Sequence, residues 1–151
     1  MEKIIEIVRI KQMIEETPYE IKGIRSPEDA SQVMFNFIGH EDREVFIVIC
    51  LNTKNEVIAV HRAHVGSINA SVVHPREVFK TAFLNNATSL IVGHNHPSGD
   101  PTPSQEDINV TKRLAEAGRI LGVEILDSLI IGEMVSAHNI KHISLKERGY
   151  L

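Results

Sequence analysis

The apolar positions along the chain fall into short blocks of two distinct periods. From Pro27 onward, Ala30, Val33, Met34, Phe37 and Ile38 recur at the three- and four-residue spacing of a single helical face. Ser26 supplies an N-cap, Pro27 the first helical position, Glu28 and Asp29 carboxylates for the first turn, and Gly39 a stop. The pattern predicts a helix between them. Glu44 to Leu51 is a short apolar run rich in β-branched residues, the mark of a buried strand. Asn52-Thr53-Lys54-Asn55 reads as the turn to a hairpin partner over Glu56 to Val65. A second helix is expected from Arg76 to Asn85 behind Pro75, with Val78, Phe79, Ala82 and Phe83 on one face. Ser89 to Val92 reads as another buried strand, ending at Gly93.

His94 to Pro103 holds three prolines and a glycine, which excludes regular structure. A helix restarts near Ser104, its inner face formed by Ile108, Thr111, Leu114, Ala115, Gly118 and Leu121, and Gly122 is placed to end it. Val123 to Ile131 and Met134 to Ala137 read as two closing strands joined at Gly132-Glu133. This order of elements indicates an α+β or mixed-sheet domain without internal repeats. Ile4, Ile7, Val8 and Ile10 fit neither period uniquely, so periodicity leaves the N-terminal stretch open.

Composition narrows the class. A chain of 151 residues, 42% apolar and 24% charged, is the size and make-up of one globular domain. No apolar run approaches the roughly 20 residues that span a bilayer, and the start Met1-Glu2-Lys3-Ile4 lacks the features of a secretory signal. A cytoplasmic protein that does not enter membranes is expected. Cys50 is the only cysteine; set in an apolar run, it reads as an inert core thiol. A net charge of −4 gives no footprint of a strong nucleic-acid binder. Lys141, Lys146 and Arg148, with His138 and His142, read as a solvated C-terminal end.

His94 and His96 carry the candidate chemistry. In extended backbone, residues two apart project from one face, so both imidazoles can reach one ion while Asn95 points away. Asp107 lies eleven residues past His96, in the first turns of the next helix. Two imidazoles and a carboxylate are a zinc set with three protein ligands, which leaves the fourth tetrahedral position to water, the catalytic pattern. Ser104, three residues before Asp107, can face the metal and donate to a developing oxyanion. Glu44, at the mouth of a buried strand, is the best-placed general base, with Glu41 and Glu56 as weaker candidates. A His-x-His pair is more often structural, and Ser104-x-x-Asp107 is by itself a capping pattern. Thr102 is an equally good N-cap and would place Ser104 inside the helix. His40, His61, His64, His74, His138 and His142 show no comparable spacing and read as surface or loop residues. Arg76 reads as a surface cation.

Taken together, His94-Asn95-His96-Pro97, Ser104-x-x-Asp107 and a distant upstream Glu resemble the JAMM (MPN+) metalloprotease motif. His94 to Pro101, Pro103 to Ile108, and Leu126-Asp127 before Ile130-Ile131-Gly132 resemble its RadC-like branch more narrowly, a likeness running from about Arg25 to Gly132. The resemblance implies a JAB/MPN-type fold, a cytidine-deaminase-like mixed sheet flanked by helices over residues 25–138. It further implies an N-terminal segment 1–24 that joins the sheet as a strand, and a tail over 139–151. It implies one zinc ion per chain on His94, His96 and Asp107, with Glu44 acting through the zinc-bound water and Ser104 aiding the tetrahedral intermediate. The expected substrate is a protein or peptide, cleaved at a peptide or isopeptide bond. Two departures stand out. The helix-hairpin-helix domain common ahead of this one in RadC-like proteins has no room in 151 residues, which weakens a DNA-directed role. Asp127-Ser128 stands where branch members often show Asp-His, so Asp127 is read as structural or supporting. The competing expectation is an accessory protein in DNA repair or mobile-element biology with little or no catalysis.

Overall fold

The computed structural model describes all residues from Met1 to Leu151. In chain order the elements are α1 (Pro27–Ile38), β1 (Val45–Leu51), β2 (Val57–Val65), α2 (Pro75–Val78), α3 (Lys80–Leu84), β3 (Ser89–Asn95), α4 (Gln105–Leu121), β4 (Glu124–Ser136) and β5 (Asn139–Ser144). Together they make an α+β domain built on one five-stranded mixed sheet of order β2-β1-β3-β4-β5. β1 and β3 lie side by side near its middle, antiparallel, and every residue of both is buried. Their apolar runs are continuous because each face of the sheet is covered. α1 packs on one face over a core that includes Met34, Ile38, Ile47 and Leu129. α2, α3 and α4 pack on the other over Phe46, Val48, Phe79, Val92 and Leu114. β3 and β4 are the one parallel pair, and α4 is the crossover such a pair requires.

The expected helix over 76–85 breaks at Phe79 into α2 and α3. The break buries Val78, Phe79 and Ala82 and leaves Phe83, expected inside, 52% exposed. Leu121, at the end of α4, is exposed as well, while Gly122 ends that helix as expected, with φ of 76°.

The C-terminal end departs most from expectation. β4 runs unbroken through Gly132-Glu133, and the chain reverses instead at Ala137-His138, where His138 takes a positive φ of 66°. Residues 139–144, read as part of a solvated tail, therefore form β5, and Ile140 and Leu145 are buried. Asp127 secures this end. Its carboxylate accepts from the Ser144 hydroxyl at 2.7 Å and from the Ser128 and Lys146 backbone N–H groups. The strand expected within residues 1–24 is reduced to a single bridge between Gly23 and Glu56, and residues 1–22 are exposed throughout. With no consistent period, these residues cannot present one apolar face to the sheet. His61 and His64 lie half-buried on β2, and His142 on β5, not in loops. Cys50 is fully buried, and burial pushes its thiol pKa up, as an inert core cysteine requires. No helix is long and apolar enough to cross a membrane.

Candidate metal centre

The site forms where β3 ends, β1 begins and α4 starts. β3 extends two residues further than the prolines suggested, through Asn95, so His94 is held by strand pairing to Phe46 on one side and Ile130 on the other. The Phe46 ring stacks alongside the His94 imidazole at a centroid separation of 6.2 Å. His96 follows the strand, its backbone N–H donating to Ile131 O at 2.9 Å. α4 opens with Ser104 as its N-cap, not Thr102. The Ser104 hydroxyl accepts from Asp107 N–H at 3.1 Å, and Asp107 Oδ2 accepts from Ser104 N–H at 2.9 Å. This capping box fixes the Asp107 side chain and leaves both its oxygens facing the histidines.

The distances are short on every side. His94 Nε2 lies 3.1 Å from Asp107 Oδ1, His96 Nε2 lies 3.1 Å from Asp107 Oδ2, and the two Nε2 atoms are 3.2 Å apart. Glu44 Oε1 stands 3.8 Å from His96 Nε2, and one donor atom from each of Glu44, His94, His96 and Asp107 lies within 4.8 Å of the others. Donors held tetrahedrally at zinc–nitrogen lengths of about 2.0–2.1 Å stand roughly 3.3 Å apart, which the inner three match. His96 Nδ1–H donates to the Asp100 carbonyl at 2.9 Å, and because a carbonyl only accepts, the Nε2 of a neutral ring carries the lone pair. His94 and Asp107 are each only 3% exposed, and His94 Nδ1 has no hydrogen-bond partner. Two imidazole nitrogens and a carboxylate converging in so buried a place fit a metal ion.

Burial opposes the charge on Asp107, but hydrogen bonds from His94, His96 and the Ser104 N–H outweigh it and hold the carboxyl well below the usual range. The hydrogen bond to Asp107 raises the His96 pKa, burial opposing it, with smaller support from the Asp100 carbonyl and from Glu44. Glu56 lies at the far end of the sheet, where β2 begins, bonded by the Asn52 side chain. Glu41 borders a cleft beside His96 but is outside the four-residue cluster. Arg76 is exposed on α2.

One residue with a part in the site carries no signal in the spacing. Asn95 points away from the histidines, as expected, and its side chain spans to the start of β1. Its Oδ1 accepts from Val45 N–H at 2.8 Å, and its Nδ2 donates to Arg43 O at 3.0 Å. The two bonds grip the backbone on either side of Glu44, and the Glu44 carbonyl accepts from Gly66 N–H at 2.8 Å. The base candidate is thereby tied to the strand that bears the histidines.

A mixed sheet with a His, His, Asp and Glu cluster at the end of its parallel strand is a domain that could hold one metal ion at a strand-to-helix junction. The sequence model of the RadC-like JAB domain matches residues 24–150. A UPF0758 protein of Geobacillus sp. (strain WCH70) is 56% identical over 128 residues, covering 85% of this chain and 54% of that protein. A UPF0758 protein of Bacillus cereus (strain AH187) is 53% identical over 129 residues, and the UPF0758 protein YsxA of Bacillus subtilis (strain 168) 52% over 128. These alignments cover 85% of this chain, 55% of the B. cereus protein and 53% of YsxA. The chain belongs to the RadC-like JAB domain family. It spans about half the length of the curated relatives it matches.

Proposed function

We propose that the protein is a zinc-dependent hydrolase of peptide or isopeptide bonds, with His94, His96 and Asp107 as ligands and Glu44 as general base. The observation that carries this reading is the asymmetry of the cluster. Three donors sit 3.1–3.2 Å apart in a buried setting, whereas Glu44 stands off at 3.8 Å with its side chain 29% exposed. The inner three suit ligation and the outer carboxylate suits proton transfer with a group bound beside them. Zinc, when bound, supplies Lewis acidity and brings the pKa of a coordinated water to about 7. Glu44 takes the proton of the attacking water and returns it to the leaving amine. The Asp107 charge, held by the capping box and the histidines, offsets part of the ion's charge. The Ser104 hydroxyl accepts from Asp107 N–H and keeps its own O–H free to donate to the developing oxyanion.

Elemental analysis of protein purified without added metal tests the reading directly. One zinc per chain is expected in the wild type and none in His94→Ala/His96→Ala. A wild type that takes up no metal even when zinc is supplied would overturn it. A peptide and isopeptide screen of the metal-bound protein then tests the reaction.

Ser104→Ala separates the cap from the chemistry. Losing an N-cap hydroxyl costs ~0.5–2 kcal/mol, which in a domain of this size lowers Tm by about 2–4 °C per kcal/mol. The Ser104 backbone N–H still holds Asp107, so zinc is retained. If the hydroxyl serves the oxyanion, kcat falls by about 10²-fold or more, as for loss of one oxyanion donor. A lowered Tm with unchanged kcat would confine Ser104 to capping.

A further inference from the structure

The two histidines of the cluster are held in different ways. His94 is fixed by its place within β3, and its buried Nδ1 has no hydrogen-bond partner. His96 lies just past the strand, and a single bond from outside the cluster orients its ring, Nδ1–H to the Asp100 carbonyl at 2.9 Å. That bond leaves the Nε2 lone pair toward Asp107 and His94. Whatever places the Asp100 carbonyl therefore places the second imidazole.

The loop that carries Asp100 is seated on β4. A turn closed by Gly99 N–H to His96 O at 2.9 Å brings Gly99, with φ of 92°, back against the strand. Its carbonyl accepts from Glu133 N–H at 3.1 Å. On the other side, the Asp100 carboxylate accepts from Thr102 N–H at 3.0 Å and from the Thr102 hydroxyl at 2.7 Å, which braces the chain across Pro101.

Gly132 lies against both flanks of Asp100. A Cβ there would collide with the Gly99 carbonyl oxygen and would stand 3.1 Å from Pro101 Cδ, inside ordinary van der Waals contact. β4 is held on its far side by β5, through the Ile131–His142 and Met134–Ile140 pairs, whereas Pro97, Ser98 and Asp100 are exposed. The loop, not the strand, is the partner that would give way.

We propose that Gly132 is a positioning residue for His96: by lacking a side chain it lets the 97–101 loop seat on β4, and this seating aims the Asp100 carbonyl that orients the imidazole toward the metal. The inference rests on the reading of the cluster as a metal centre and adds to that centre a residue from a strand that supplies no donor. The effect is one-sided. A methyl group at position 132 lifts the loop and frees the His96 ring, while His94 is kept by β3 pairing, Asp107 by the α4 cap and Glu44 by Asn95.

Gly132→Ala is the test, read as the Tm of the metal-free protein and as Zn2+ affinity in competition with a chromophoric chelator. Affinity is expected to fall about 10–100-fold, the usual loss when the hydrogen-bond partner of a ligating histidine is disturbed. With Co2+ in place of zinc, the visible absorption of variant and wild type should differ, because one imidazole is no longer held among the donors. Gly118→Ala is the control. A Cβ there collides with Val123 O at the far end of α4, so Tm falls while zinc affinity and the Co2+ spectrum stay as in the wild type. Should Gly132→Ala fail to fold, Gly99→Ala strains the left-handed residue whose carbonyl seats on β4, on an outer loop instead of in the sheet, and is expected to weaken zinc in the same way. Unchanged affinity and spectrum in whichever of these two variants folds, or an equal loss in Gly118→Ala, would overturn the proposal and leave the metal centre standing. A wild type that binds neither ion would overturn the metal centre itself, and this proposal with it.

Discussion

Glu44→Gln keeps the fold and a full complement of zinc while turnover falls by about 10²–10⁴-fold, the usual loss when a positioned general base is removed. Glutamine has the shape of glutamate and preserves whatever packing the half-exposed side chain makes, but its amide cannot take a proton from water at neutral pH. The three inner donors are untouched by the change, because His94, His96 and Asp107 hold one another at 3.1–3.2 Å without help from Glu44. The check is kcat on the peptide found by screening, together with metal content of the same preparation. Full activity in the variant would move the base elsewhere, and Glu41, which borders the cleft beside His96, is the next carboxylate to replace. Loss of the metal would make Glu44 a fourth ligand instead.

The strongest local signals in the sequence survive in the structure because the local physics that writes them is also what the fold uses. Ser26, Pro27 and the carboxylates of the first turn open α1 as expected, with Ser26 Oγ accepting from Asp29 N–H, and the apolar run of β1 is buried along its whole length. His94 and His96 share a side because strand geometry makes residues two apart do so, and Asp107 meets them because a capping box aims a side chain within a turn. The losses came where distant residues decide. Gly132-Glu133 looks like a turn, yet β4 continues through it, because the loop after His96 docks there: Glu133 N–H donates to Gly99 O at 3.1 Å. A side chain at Gly132 would place its Cβ 2.1 Å from that same carbonyl oxygen, so the glycine serves close approach and not reversal. His138 takes the positive φ instead, a conformation uncommon outside glycine although His adopts it more readily than most residues. Polar positions in β5 hid a strand whose buried members are few, and the Asp127 bonds that hold it down join residues far apart in sequence.

Asn95→Ala loosens the site from beneath without touching a donor atom. The side chain is only 4% exposed, and its loss strands the Val45 N–H and the Arg43 carbonyl on either side of Glu44. Leaving the buried Val45 N–H unpaired costs about 1–3 kcal/mol, so a measurable fall in Tm is expected. The functional effect exceeds that fall. Glu44 is attached to the histidine strand through these two bonds, and a misplacement of about 1 Å at a catalytic group can cost about 10²-fold in rate. The three inner donors are set by β3 pairing and the α4 cap, neither of which passes through the Asn95 side chain, so zinc content is expected to stay at that of the wild type. Asn95→Asp is the informative companion: its carboxylate still accepts from Val45 N–H but cannot donate to Arg43 O. It should retain more activity than the alanine variant if the Val45 bond does most of the positioning. If kcat in Asn95→Ala falls no further than its stability loss explains, with KM and metal content unchanged, Asn95 only braces the sheet, and the position of Glu44 is fixed by its strand and by the Gly66 N–H alone.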